Sequence, residues 1–119
     1  MNPLKTDSEL VPSARKEGQF VIAALCGEID LHNSPELRHV ILTLMQQNAP
    51  QRLVLNLMQV PYMDSSAVAV LVEALQKMRK VGGKIFLTNL QPRVQGLLEI
   101  ARLSSVFTIV LDEPEALTP

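Results

Sequence analysis

An aspartate and two serines stand together in the stretch VPYMDSSAVAVLV at positions 60–72, between two apolar segments of different periodicity. A carboxylate beside two hydroxyls could cap a helix, support nucleophilic catalysis, or present a hydroxyl for phosphorylation. Asp64, Ser65 and Ser66 are therefore the first candidates for a functional site.

Capping is the commonest use of such a triplet. Asp and Ser are favoured N-cap residues, and an apolar pattern of helical period starts directly after Ser66. A phosphate would also be tolerated there, because a helix N-terminus presents free N–H groups and the positive end of the helix dipole. From the residues alone, capping is favoured and phosphorylation stays open.

Hydrolysis and metal binding have less support. The glycines of a GxSxG elbow are missing, since Met63 and Ala67 flank the serine pair, and only His32 and His39 could supply a base. The two histidines and Cys26 also lack the spacing of a zinc site, so we expect no metal. Cys26 lies in an apolar run and is predicted to be buried.

The composition is that of one globular domain. The chain has 119 residues, 47% hydrophobic and 19% charged. A net charge of −1 and an aromatic content of 3% argue against direct nucleic-acid binding. The first ten residues lack the apolar core of a signal peptide, and no apolar run approaches the roughly 20 residues of a membrane span. We therefore expect a cytoplasmic protein without membrane contact.

Strand-like runs alternate with helical stripes along the chain. Strands are predicted at 19–30, 52–60, 84–90 and 107–111, with a short edge strand near 10–14 and a turn at 15–18. Helices are predicted from Ser34, an N-cap followed by Pro35, from about Ser65, and over 92–103. The pattern predicts a single α/β domain with a mostly parallel sheet of four to five strands and three to four helices.

Polar segments flank this predicted domain. Residues 1–9 are predicted to form a flexible arm, residues 10–111 the domain, and residues 112–119 an acidic, proline-containing tail. Since ligand sites in open α/β sheets lie beyond the carboxyl ends of the strands, the turn after the strand at 52–60 is well placed for function.

Three blocks occur in a fixed order: GEIDLHNSPELR at 27–38, LVLNLMQVPYMDSSAVAVLVEAL at 53–75 and GGKIFLTNLQPRVQGLLEIARL at 82–103. With these blocks the chain resembles the STAS domain of bacterial anti-sigma factor antagonists, over about residues 10–111. The resemblance implies a binding protein without catalytic activity or a cofactor of its own.

In proteins of this family, an anti-sigma factor serine kinase uses Mg-ATP to phosphorylate the serine directly after the motif aspartate. The resemblance therefore implies Ser65 as the acceptor, with Ser66 as the second choice. The dephosphorylated form binds the kinase and frees the sigma factor, and a PP2C-type phosphatase restores that form. The implied partner-binding residues are Asp30, Asp64, Ser65, Ser66, Ala67 and Val70.

Two positions depart from the family motif: Ala67 replaces the usual Gly, and Asn56 replaces the usual Asp. They keep open a second interpretation, an unphosphorylated STAS subunit of a scaffold or transporter complex, and a small serine hydrolase is a remote third.

The oligomeric state follows from the helices. Because their apolar stripes are all expected to pack against one sheet, we expect a monomer or a weak dimer.

Overall fold

The computed structural model describes residues 2–119, which form one six-stranded sheet whose strands lie side by side in sequence order. The first three strands pair antiparallel and strands three to six pair parallel. The strands are β1 (Asn2–Leu4), β2 (Ser13–Glu17), β3 (Phe20–Cys26), β4 (Arg52–Gln59), β5 (Lys84–Thr88) and β6 (Thr108–Val110). The helices are α1 (Ser34–Asn48), α2 (Ser65–Lys80), α3 (Pro92–Ile100) and α4 (Glu113–Ala116).

The main core lies between the sheet and the three long helices. Each of α1, α2 and α3 connects two neighbouring parallel strands, and right-handed crossovers in one direction along a sheet place such helices on the same face. Alternate residues of the central strands, such as Val21, Leu55 and Leu87, are fully buried there with Leu37 and Leu71 of the helices. The α/β prediction is confirmed.

The opposite face of the sheet carries a second, smaller apolar cluster. Ile22, Val54 and Phe86 point to this face, because side chains alternate along a strand. They are buried together with Ala116 of α4. The segment predicted as a tail at 112–119 therefore contains a short helix, which at four residues is too short to show a helical period.

Six strands replace the four to five predicted. The additional strand is β1, which lies within the arm predicted at 1–9 and pairs antiparallel with β2. The turn predicted at 15–18 begins later, because Arg15 and Lys16 belong to β2 and Gly18, with φ of 59°, makes the reversal. Charged side chains are common in strands near a sheet edge, so the charged residues in this segment did not indicate where the turn begins.

Two smaller expectations also need correction. Helix α1 has Asn33 as its N-cap rather than Ser34, which is the first helical residue and is followed by Pro35. Cys26 is partly exposed instead of buried, because it is the last residue of β3, where the strand register shifts before Gly27. The thiol is thus outside the closely packed centre of the sheet.

Candidate functional site

The loops that follow β3 and β4 meet at the carboxyl edge of the sheet. Ile29 and Met63 form a parallel bridge, and the Ile29 N–H donates to the Tyr62 carbonyl at 3.1 Å. The Asp64 N–H donates to the Ile29 carbonyl at 3.0 Å. These backbone bonds bring Asp30 and Asp64 of two different loops to one place, beside the N-terminus of α2.

The Asp64 carboxylate connects both loops to the helix. Its Oδ1 accepts from the Ser66 N–H at 2.9 Å, from the Ser66 hydroxyl at 2.5 Å and from the Ala67 N–H at 3.4 Å. Its Oδ2 accepts from the Leu31 N–H at 3.1 Å. The Ser66 hydroxyl and these backbone donors lower the pKa of Asp64 despite partial desolvation, so the carboxylate is ionised at neutral pH. The capping hypothesis is confirmed, with Asp64 as the N-cap.

The two serines occupy different environments. Ser65 is exposed, and its hydroxyl takes no part in the Asp64 network. Ser66 is half-buried, and its hydroxyl proton is directed at Asp64 Oδ1. Of the two hydroxyls, that of Ser65 is therefore exposed and outside the cap, whereas that of Ser66 is part of it.

Asp30 shapes the loop that enters α1. Its Oδ1 accepts from the His32 N–H at 2.9 Å and the Asn33 N–H at 3.3 Å, while its own N–H donates to Asn33 Oδ1 at 2.8 Å. The carboxylate stays half-exposed. The site therefore presents two carboxylates, Asp30 and Asp64, on the loops next to Ser65.

Two of the predicted partner-binding residues point inward. Ala67 is fully buried and Val70 is 8% exposed, and both belong to the main core. Ala67 is not among the non-glycine residues with positive φ, so the site does not demand the glycine that the family usually has. Direct partner contact by Ala67 and Val70 stays a prediction. In the structure, both side chains pack α2 against the main core.

Leu31 is a feature of the site that sequence reasoning missed. Its side chain is 76% exposed although it is large and apolar, and its N–H is held by Asp64. An exposed apolar side chain of this kind offers apolar area that a docking partner could remove from water. The sequence offers one signal, an apolar residue between the polar residues Asp30 and His32.

The Asn56 side chain belongs to the opposite sheet face. Its Nδ2 donates to Glu113 Oε2 of α4 at 2.6 Å, and its Oδ1 accepts from the Met58 N–H at 2.9 Å. An aspartate here would place a second carboxylate against Glu113, without an N–H to donate. Asn56 therefore suits the contact with α4, because its amide can donate to the Glu113 carboxylate.

The surroundings of the serines, of the possible metal ligands and of the helices are also clear in the part of the chain that the structure describes. The Ser66 hydroxyl donates to a carboxylate, and no histidine among residues 2–119 is hydrogen-bonded to either serine. Across the same residues, no cluster of three His, Cys, Asp or Glu side chains could hold a metal ion. None of the helices described is both long and apolar enough to cross a membrane.

Known proteins with related sequences match most of the chain. The family described as STAS domain matches residues 11–116. An anti-sigma-B factor antagonist of Bacillus subtilis (strain 168) is 35% identical over 85 residues, which cover 71% of this chain and 76% of the relative. An anti-sigma F factor antagonist of Paenibacillus polymyxa is 30% identical over 98 residues, covering 82% and 84% of the two chains.

Solved structures share the fold. The anti-sigma factor antagonist SpoIIAA in its unphosphorylated form superposes with a TM-score of 0.67 at 24% identity, over 87% of this chain and 91% of that chain. The phosphorylated form of SpoIIAA from Bacillus gives the same TM-score at 23% identity, over 87% and 94% of the two chains. The six-stranded sheet and its helices therefore share the fold of these solved structures.

Proposed function

This chain belongs to the STAS domain family, and from that premise we propose that it is an anti-sigma factor antagonist whose activity is switched by phosphorylation of Ser65. The observation that carries the proposal is the difference between the two serines. Ser65 offers an exposed, free hydroxyl at the N-terminus of α2, whereas the hydroxyl of Ser66 is bound to Asp64.

In the unphosphorylated state the protein binds an anti-sigma factor serine kinase through the carboxyl edge of its sheet, which releases the sigma factor. The contact surface includes Ser65, the loop around Asp30 and the exposed side chain of Leu31. Because Asp64 ties the Leu31 backbone to the start of α2, these groups are presented as one rigid surface. A preformed surface loses little conformational entropy on binding.

Phosphorylation takes place within that complex. The Ser65 Oγ attacks the γ-phosphorus of Mg-ATP held by the kinase, the bond to the β-phosphate oxygen breaks, and ADP leaves. The hydroxyl proton passes to a base of the kinase, because Asp64, the carboxylate next to Ser65 in the sequence, has a lowered pKa and is therefore a weak base. Since the donor is ATP, we place this cycle in the cytoplasm.

The phosphate weakens the complex by charge. It adds about −1.5 to −2 charges beside Asp30 and Asp64. In the free protein, water and the α2 dipole compensate part of this charge, the dipole by about 0.3–1 kcal/mol. In the complex the same charge must be desolvated against a partner surface, so the cost falls on binding. A PP2C-type phosphatase hydrolyses the phosphoserine and restores the binding form.

We test this proposal by binding and labelling with the cognate kinase and Mg-ATP. Wild type and Ser66→Ala should be phosphorylated, and Ser65→Ala should bind without being phosphorylated. Ser65→Asp should bind about tenfold more weakly than wild type, because of like-charge repulsion at the contact. Equal binding by Ser65→Asp and wild type, with no label on either serine, would favour an unphosphorylated STAS subunit instead.

A further inference from the structure

The C-terminal tail, residues 112–119, packs across the sheet face opposite the three long helices, and the strip of that face beneath the tail is here called the groove. The floor of the groove consists of Ile22, Val54 and Phe86, and the fully buried Ala116 packs on it. The only regular structure in the tail is the single turn of α4. Such a short helix has no independent stability, so its conformation depends on the groove.

One end of the groove binds a carboxylate. Arg15 Nη2 donates to Glu113 Oε1 at 2.9 Å, and Asn56 Nδ2 donates to Glu113 Oε2 at 2.6 Å. Arg15 also donates to Glu17 at 2.5 Å, so its charge is shared between two carboxylates. Two donors on neighbouring oxygens select a carboxylate with a defined orientation.

The other end of the groove binds the carbonyl end of a helical turn. Arg52 Nη1 donates to the Ala116 carbonyl at 2.9 Å and to the Thr118 carbonyl at 2.6 Å. The Arg52 guanidinium also lies over the rings of Phe20 and Phe86, 4.8 and 5.0 Å from their centroids. A cation fixed by two rings is well placed against the negative end of a short helix.

The tail does not satisfy the whole groove. Thr88 lies on the same face, in register beside Asn56, and is fully buried. Its Oγ1 has no hydrogen-bond partner in the part of the chain that the structure describes. A buried hydroxyl without a partner destabilises the arrangement that buries it. The tail therefore binds the charged groups Arg15 and Arg52 of the groove but does not hydrogen-bond to the Thr88 hydroxyl on its floor.

We propose that this groove is a second binding site, that it accepts a short acidic segment of a partner protein, and that the tail occupies it as an intramolecular competitor. The tail defines the ligand chemistry: a carboxylate between Arg15 and Asn56, a small apolar residue on Phe86, and a helical turn ending at Arg52. The site is independent of Ser65 and of the switch proposed above. Only Leu111 and Asp112 separate β6 from α4, so the tethered tail is at high effective concentration.

The test uses the full chain with the tail dislodged. Ala116→Asp places a charge in the apolar cluster, so the tail should leave the groove while the three-helix core stays intact. The probe is a fluorescein-labelled peptide of residues 111–119, followed by fluorescence anisotropy. Ala116→Asp should bind it at least about tenfold more tightly than wild type, because the competitor is removed. Ala101→Asp, at an exposed alanine, is the control and should behave as wild type.

Specific binding of the peptide should depend on the pair Arg15 and Asn56, which bind the carboxylate. Adding Arg15→Ala to the Ala116→Asp chain, or using a peptide with Glu113→Gln, should each reduce binding to the wild-type level. Amide hydrogen exchange should show faster exchange at 113–118 in Ala116→Asp and unchanged protection in β3 and β4. If Ala116→Asp fails to fold, Glu113→Gln in the full chain replaces it and should also raise peptide binding and tail exchange.

Three results would overturn the proposal. The first is equal peptide binding by wild type and a chain whose tail exchanges freely. The second is binding that ignores both Arg15→Ala and the Glu113→Gln peptide. The third is a wild-type dimer in sedimentation that Ala116→Asp abolishes, since the groove would then hold the tail of a second copy.

Discussion

The Ser66 hydroxyl lies 2.5 Å from Asp64 Oδ1, the oxygen that also accepts the Ser66 N–H. Ser66 is therefore part of the helix cap, and Ser65 is left as the exposed hydroxyl of the pair. Two adjacent serines thus divide a structural role and a proposed chemical role between them.

Removal of the two hydroxyls should affect stability unequally. Ser66→Ala should lower the free energy of unfolding by about 1 kcal/mol, the net worth of one hydrogen bond. Ser65→Ala should change it by less than about 0.5 kcal/mol, as is usual at the surface. Urea denaturation of both variants measures the difference, and equal losses would contradict the assignment of Ser66 to the cap.

Leu31 should be an anchor for the kinase. Leu31→Ala should weaken kinase binding about tenfold, or roughly 1.4 kcal/mol, because it removes apolar area that the kinase would bury. The control is Ile100→Ala, which truncates an apolar side chain that is 84% exposed on α3. Calorimetry with the unphosphorylated protein measures both. Wild-type affinity in Leu31→Ala would remove this residue from the docking surface.

Ala67 should be better for this fold than the glycine usual in the family. Ala67→Gly should lower the free energy of unfolding by about 1–2 kcal/mol, because it adds helix-propensity loss to the loss of a buried methyl group. Ala69→Gly, at an exposed position of the same helix, should cost only the propensity term of about 1 kcal/mol. A more stable Ala67→Gly chain would mean that the turn is strained.

Acid should weaken the attachment of the tail. Burial alone would raise the pKa of Glu113, but the hydrogen bonds from Asn56 and Arg15 outweigh it and lower the pKa below its ordinary value. A carboxylate whose pKa is lowered by folding stabilises the folded state when the pH is above its ordinary pKa. That stabilisation is lost as the pH falls through the lowered pKa. The facing charged groups are Arg15, which stays protonated, and Glu17.

This pH dependence is measurable against a matched variant. The unfolding free energy of wild type should fall more steeply on acidification than that of Glu113→Gln, while Asp64 titrates in both chains and cancels. Urea denaturation at a series of acidic pH values gives the two slopes. If the unfolding free energies of the two chains changed in parallel with pH, Glu113 would not be stabilised by Arg15 and Asn56.

The strands and helices of the main core could be predicted from the sequence because their apolar periods are long and regular. The start of α2 was also predictable, since Asp64 precedes a helical stripe and capping is a local property. Leu31 was harder to find, because its exposure depends on how two loops meet through Ile29 and Asp64.

The second sheet face could not be predicted in the same way. Helix α4 contributes one fully buried apolar residue, Ala116, and a single turn has no periodicity to detect. Its position depends on contacts across the chain, such as that between Arg15 and Glu113. The partial exposure of Cys26 likewise follows from where β3 ends, which local composition does not determine.

Mass spectrometry of the protein isolated from its native cells tests the proposed switch at Ser65. Mapping of phosphopeptides should find a single phosphate, on Ser65, that disappears on treatment with a PP2C-type phosphatase. Phosphate on Ser66 alone would contradict the assignment of the free hydroxyl as the acceptor. No phosphate on either serine, under conditions in which the cognate kinase is active, would contradict the switch itself.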